Sequence, residues 1–151
     1  MQRLLFHLDA NAVNARQHDE SLNELERLAN LGQVDLEYSE VAYNEAGHRN
    51  SFRQAKTENY TWAGLSSQAE LEADWRAKIE KAIFPSGAKT DSDRNDVEVV
   101  LTAKIAGAIL VTRDGNSRTQ PRGILGSREE LAALGVTVLT FSEAVTYAKR
   151  T

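Results

Sequence analysis

Short apolar stretches of strand length alternate along this chain with stretches of helical period. That alternation predicts an α/β domain: a three-layer α/β/α sandwich around a mainly parallel central sheet. Three observations carry the expectation. Residues 4–8 and 108–112 are nearly continuous apolar runs, the pattern of strands covered on both faces. Leu22, Leu25, Leu28 and Leu31, and again Leu71, Trp75, Ile79 and Ile83, recur at helical spacing. Gly32, Gly107 and Gly135 each close a helical stretch just before a strand-like one.

Taken in order, residues 4–9 (LLFHLD) form a first strand with Asp9 at its end, and His7 reads as a packed, hydrogen-bonded histidine. Ser21 and Glu24 make a capping-box pattern for the first helix, which Gly32 ends. Val34, Leu36 and Tyr38 alternate with Asp35 and Glu37, which suggests a second strand with one less buried face, near an edge. Ser39 caps a helix whose first turn holds Glu40, a favourable place for a negative charge, with Glu45 more than a turn further on. Residues 46–67 are polar and hard to place. His48, Arg49, Arg53 and Lys56 would spread along a helical continuation, followed by Tyr60 and Trp62. That mixture suits either a solvated face with a packed aromatic pair or a nucleic-acid contact.

A helix over 68–84 follows, broken by Pro85-Ser86-Gly87, then a polar loop to Asn95. Asn95 or Asp96 caps the next helix, with Val97, Val100, Leu101 and Ile105 on its apolar face. Gly107 ends it, the strand over 108–112 follows, and Asp114 lies just past that strand. Residues 115–126 are a loop rich in Gly, Arg and Pro that carries Arg118 and Arg122 after Arg113. Ser127 and Glu130 form a second capping box, residues 136–141 a fourth strand, and Ser142 caps a final helix.

The chain has 151 residues, which fits a single domain over 1–151, least typical at 46–90. There is no cysteine, so disulfides, zinc–thiolate sites and a cysteine nucleophile are excluded. No apolar run nears the ~20 residues of a membrane helix, and no signal peptide is evident, so a cytoplasmic location is expected. The net charge of −4 does not suggest a nucleic-acid binder, yet the distribution is uneven. The first 45 residues are strongly acidic and residues 46–90 slightly basic, so a basic surface can sit beside an acidic site.

Asp9 and Asp114 follow strand ends, while Glu45 and Asp96 lie in the N-terminal parts of helices. In a parallel sheet all four can reach one crevice beyond the carboxyl ends of the strands. Four close carboxylates repel one another unless a cation neutralises them. Hard oxygen donors without Cys or clustered His suit Mg²⁺ or Mn²⁺, which can activate a water to attack a phosphodiester. A dinucleotide-binding glycine pattern and a P-loop are both missing after the first strand.

Three segments, LLFHLDAN, YSEVAYNEA and NDVEVVLTAKIAGAILVTRDGNSR, resemble the PIN-domain ribonucleases of the VapC toxin type. The resemblance covers most of the chain and is weakest over 48–90. It implies a PIN-like fold, with Asp9, Glu45, Asp96 and Asp114 as the acids of the site. Asp9, Asp96 and Asp114 would hold metal, and Glu45 would bind metal or orient the attacking water. Asn11 matches a small polar position near the first acid, and Asn116 or Ser117 a late polar site. In a nuclease reading, Arg113 and Arg118 would contact RNA phosphates. Asn116 stands where some members carry a further Asp, which puts a second metal in doubt.

The resulting expectation is a Mg²⁺- or Mn²⁺-dependent endoribonuclease acting on RNA. A cognate antitoxin and a homodimer are implied by the family. The alternative is a non-catalytic PIN-like module that binds RNA or a protein. A phosphatase-like enzyme fits less well, because Asp9-Ala10-Asn11 lacks the second Asp of a D-x-D nucleophile motif.

Overall fold

The computed structural model describes residues 3–9, 19–39, 61–63, 69–113 and 123–150. Five strands form one sheet: β1 (Leu4–Leu8), β2 (Val34–Ser39), β3 (Thr61–Ala63), β4 (Ile109–Val111) and β5 (Val138–Leu139). The helices among the described residues are α1 (Glu20–Asn30), α2 (Ala69–Ile83), α3 (Asp91–Ala106), α4 (Gly123–Gly126), α5 (Arg128–Ala133) and α6 (Phe141–Arg150).

The spatial order is β3-β2-β1-β4-β5, and every pairing is parallel. β1 is therefore central, with Phe6 opposite Leu36 on one side and Ile109 on the other. Phe6 and Leu8 are fully buried, as are Leu110 and Val111, so the apolar runs are strands covered on both faces. The chain winds outward from β1 through β2 to β3, then crosses to the far side of β1 for β4 and β5. Connections thus diverge from neighbouring strands at the β1/β4 junction, and a crevice opens beyond their carboxyl ends.

The three-layer reading with a parallel sheet holds, and several local expectations need correcting. The sheet has a fifth strand: β3 occupies 61–63, inside a stretch read as polar and hard to place. Three residues are too few to show a period, and the partner strand supplies the ladder that makes them a strand. α1 is capped by Asp19 rather than Ser21, with the Asp19 carboxylate accepting from the Leu22 backbone N–H at 2.9 Å. α3 starts a full turn earlier than expected. Thr90 is its cap, and Thr90 and Asp93 form a reciprocal capping box, so residues 91–95 are helix rather than loop. Gly107 ends α3 in the left-handed conformation, φ 67°, as its place before an apolar run implied.

The pattern of Ser127 and Glu130 makes no capping box, since Ser127 gives α5 no side-chain cap. The last helix is served by Thr140, not Ser142: Thr140 Oγ1 accepts from the Glu143 N–H and Glu143 Oε1 accepts from the Thr140 N–H. Along α2, Ile79 and Ile83 are buried and Trp75 is half-buried, whereas Leu71 at the first turn is exposed. Two ammonium groups lie over the Trp75 ring, Lys78 at 4.8 Å and Lys104 at 4.3 Å from its centroid. Arg76 Nε donates to Glu98 Oε1 at 2.5 Å and ties α2 to α3. Among the described residues, no helix is long and apolar enough to cross a membrane.

Candidate functional site

Asp9 follows β1 directly and is 5% exposed. Its backbone N–H donates to the Val111 carbonyl at 3.2 Å, so it extends the β1–β4 ladder by one step. Its carboxylate oxygen Oδ2 accepts from the Thr112 hydroxyl at 2.8 Å. Thr112 is fully buried, and its own N–H donates to the Leu139 carbonyl on β5 at 3.1 Å. A carboxylate this deeply buried is costly unless hydrogen-bonded or neutralised. The sheet meets part of that need by bringing residues 103 positions apart into contact at the β1/β4 junction.

Asp96 is part-buried in the second turn of α3 rather than at its cap. Its level relative to the sheet follows from simple lengths. From Ala106 back to Asp96, α3 climbs ~15 Å at 1.5 Å per residue. From Ile109 forward to Thr112, the strand advances ~10 Å. α3 packs on β4 and returns alongside it, so Asp96 stands near the height of the strand's carboxyl end. Moving the start of the helix out to Asp91 leaves that level unchanged, because the level is set from Gly107.

Arg113 is half-exposed, and its guanidinium pairs with the carboxylate of Asp19, the cap of α1. It also lies 5.0 Å from the ring centroid of Phe141, the first residue of α6. Glu45, Asp114, Asn11, Asn116 and Arg118 lie outside the described residues. Among the described residues, no three His, Cys, Asp or Glu side chains cluster as a metal site.

A further polar pair emerges two residues before Asp9. His7 is fully buried, and its Nδ1 bonds Glu37 Oε1 at 2.9 Å across the β1–β2 register. Nε2 of His7 has no hydrogen-bond partner among the described residues. The sequence signalled a packed, hydrogen-bonded His7. It did not signal Glu37 as the partner, since Glu37 sat on the side of β2 expected to be less buried and is only 5% exposed.

No family model and no curated protein matches the chain. Solved structures do. The chain is similar to one in VapBC2 from Rickettsia felis bound to a DNA fragment from its promoter, with TM-score 0.59 and 15% identity, covering 91% of this chain and 98% of that one. It is also similar to one in VapBC-1 from nontypeable Haemophilus influenzae, with TM-score 0.61 and 14% identity over 92% and 99% of the two chains. A third similarity is to FitAB bound to an IR36 DNA fragment, with TM-score 0.56 and 16% identity over 91% and 95%. At such identity the similarity speaks for the fold alone: the chain has a PIN-like α/β fold, shared with the VapBC and FitAB structures it resembles.

Proposed function

We propose that the chain is a Mg²⁺- or Mn²⁺-dependent endoribonuclease, the toxin of a toxin–antitoxin pair. The observation that carries this reading is the buried Asp9 carboxylate, held by Thr112 at the β1/β4 junction from which the chain connections diverge. Ligands of parallel sheets bind at such a point. The donor set fits a hard cation: Asp9 and Asp96 offer carboxylate oxygens, and the sequence adds Asp114 and Glu45 without any thiolate.

Asp9, Asp96 and Asp114 would hold the ion, which when bound lowers the pKa of a coordinated water and offsets charge on the phosphate. The protein's own part is mainly geometric. Thr112 donates to Oδ2 of the Asp9 carboxylate and so restricts how that group turns. Glu45 would orient the attacking water, and Asn11, Asn116 and Arg118 would line the path of the RNA. The similar structures are VapBC and FitAB complexes, which supports a protein partner; that partner would dock on the acidic crevice. A second copy of the chain is the other expected partner, with the half-buried Trp75 face of α2 as its contact.

The test is cleavage of a structured RNA pool with Mg²⁺ or Mn²⁺, with EDTA, and with Asp9→Asn. Cutting that needs metal and disappears in Asp9→Asn supports the reading. Equal residual cutting by both proteins marks a contaminant. No cutting and no metal binding by calorimetry would leave a module that binds RNA or protein without catalysis.

A further inference from the structure

Thr112 and Arg113 are adjacent in sequence, yet each grips a different part of the chain. The Thr112 hydroxyl holds Asp9 and the Arg113 guanidinium holds Asp19. Asp9 and Asp19 flank residues 10–18, so one dipeptide at the end of β4 ties down both ends of that stretch. Asp19 is engaged twice: Oδ1 accepts from the Leu22 N–H and caps α1, while Oδ2 meets Arg113. The guanidinium also sits on the ring of Phe141, which is 3% exposed and begins α6.

Arg113 therefore stands beside the starts of two helices. A cation is disfavoured there, because a helix start carries a partial positive charge. Its placement depends on Asp19, whose side chain is only 17% exposed, and on the aromatic face beneath it.

We propose that Arg113 and Asp19 act as a positioning pair. By fixing the end of β4 against α1 and α6, the pair holds the Thr112 hydroxyl on the Asp9 carboxylate. The proposal rests on the reading of Asp9 as part of the site, and neither member of the pair needs to touch RNA.

Asp19→Asn tests it cleanly, since Asn keeps a capping oxygen and loses the charge. Arg113→Ala removes the whole side chain, and Arg113→Lys keeps the charge but not the planar fork. The first readout is amide hydrogen exchange in the folded protein, which needs no activity. The Asp9 N–H on Val111 and the Thr112 N–H on Leu139 report the site, and the Leu110 N–H on Thr137 is the reference. Asp19→Asn and Arg113→Ala should speed exchange at Asp9 and Thr112 about tenfold relative to Leu110, with Arg113→Lys in between. An unchanged ratio in Asp19→Asn and Arg113→Lys overturns the proposal.

The second readout is RNA cleavage with Mn²⁺. Each of the two variants should lower kcat about tenfold with KM nearly constant, and the double variant should be no worse than either single one. A raised KM in Arg113→Ala, with Asp19→Asn equal to wild type, would instead make Arg113 a direct phosphate contact and overturn the pair. If exchange responds but the wild type cuts no RNA, the pair stands and the nuclease reading alone falls.

Discussion

Asp9 is a carboxylate taken almost wholly out of water at the end of the central strand. Thr112 donates to it from the neighbouring strand, so Thr112→Val is an informative change: the shape is kept and the donor removed. Leaving a buried acceptor without its donor costs about 1–3 kcal/mol. Denaturant unfolding should show that loss, and RNA cleavage should fall with it, because the carboxylate then loses the restraint of the Thr112 hydroxyl. His7 and Glu37 present a different case. Their hydrogen bond is buried within the sheet, and removal of Glu37 alone strands a buried imidazole. Glu37→Ala should destabilise by about 1–3 kcal/mol. The paired change His7→Leu with Glu37→Leu should cost less than the sum of the single changes, since it removes both polar groups together. Additive losses in a double-mutant cycle would show that the two side chains stabilise the sheet independently.

At the scale of elements, three surface carboxylates, Glu24 and Asp93 part-buried and Glu143 exposed, make the helices sensitive to acid. Glu24 in α1 is held down to about 2, chiefly by hydrogen bonds from Arg27, at 3.0 and 2.6 Å, with Lys149 of α6 at 3.5 Å adding attraction. The Lys89 backbone N–H lowers Asp93 in the capping box of α3. The Thr140 backbone N–H, followed by Arg128, lowers Glu143 at the start of α6. A carboxyl group whose folded pKa is depressed stabilises the fold above its unfolded value and loses that contribution as pH falls through the folded value. Stability should therefore begin to drop as pH passes below the unfolded values of 4.5 for glutamate and 3.8 for aspartate. The Glu24 share should fall progressively below pH 4.5 and be nearly gone at about pH 2. Thermal melts of Glu143→Gln should show a shallower loss between pH 5 and 3 than wild type, and an identical slope would assign the acid sensitivity elsewhere. Thr90→Ala, which breaks the capping box of α3, should cost about 1 kcal/mol in the same melts.

At the scale of the whole molecule, the sheet is a thin layer whose two faces are both covered, and its centre bears the most packing. Leu110 of β4 is fully buried against the core that includes Leu8, Leu101 and Val138. Leu110→Ala should cost about 2–5 kcal/mol, because transfer and cavity terms add there. Leu71 sits on the same α2 stripe as Ile79 yet is 54% exposed, so Leu71→Ser should change stability by no more than about 0.5 kcal/mol. Urea unfolding of the two variants decides this. Comparable losses would mean that Leu71 is covered by another molecule in solution.

The order of strands and helices was legible in the sequence because burial on both faces leaves a mark on every residue of a strand. Continuous apolar runs gave away β1 and β4, and Gly107 gave away the end of α3, since each is a local requirement of backbone or solvent. Caps were less legible: Ser21, Asn95, Asp96 and Ser142 had the right chemistry, yet Asp19, Thr90 and Thr140 stand at or serve those helix starts, while Ser127 stands at the start of α5 without a side-chain cap. Several polar residues near each boundary can do the task, and packing of the helix selects among them. β3 left no mark, because a three-residue edge strand owes its form to its neighbour. The acids themselves were visible as residue types, and the place of Asp9 could be inferred from strand alternation. Only the tertiary structure set the Thr112 hydroxyl on Asp9, Glu37 on His7 and Arg113 on Asp19. Those contacts join residues 103, 30 and 94 positions apart, and no local pattern encodes which side chains a folded sheet will bring within reach.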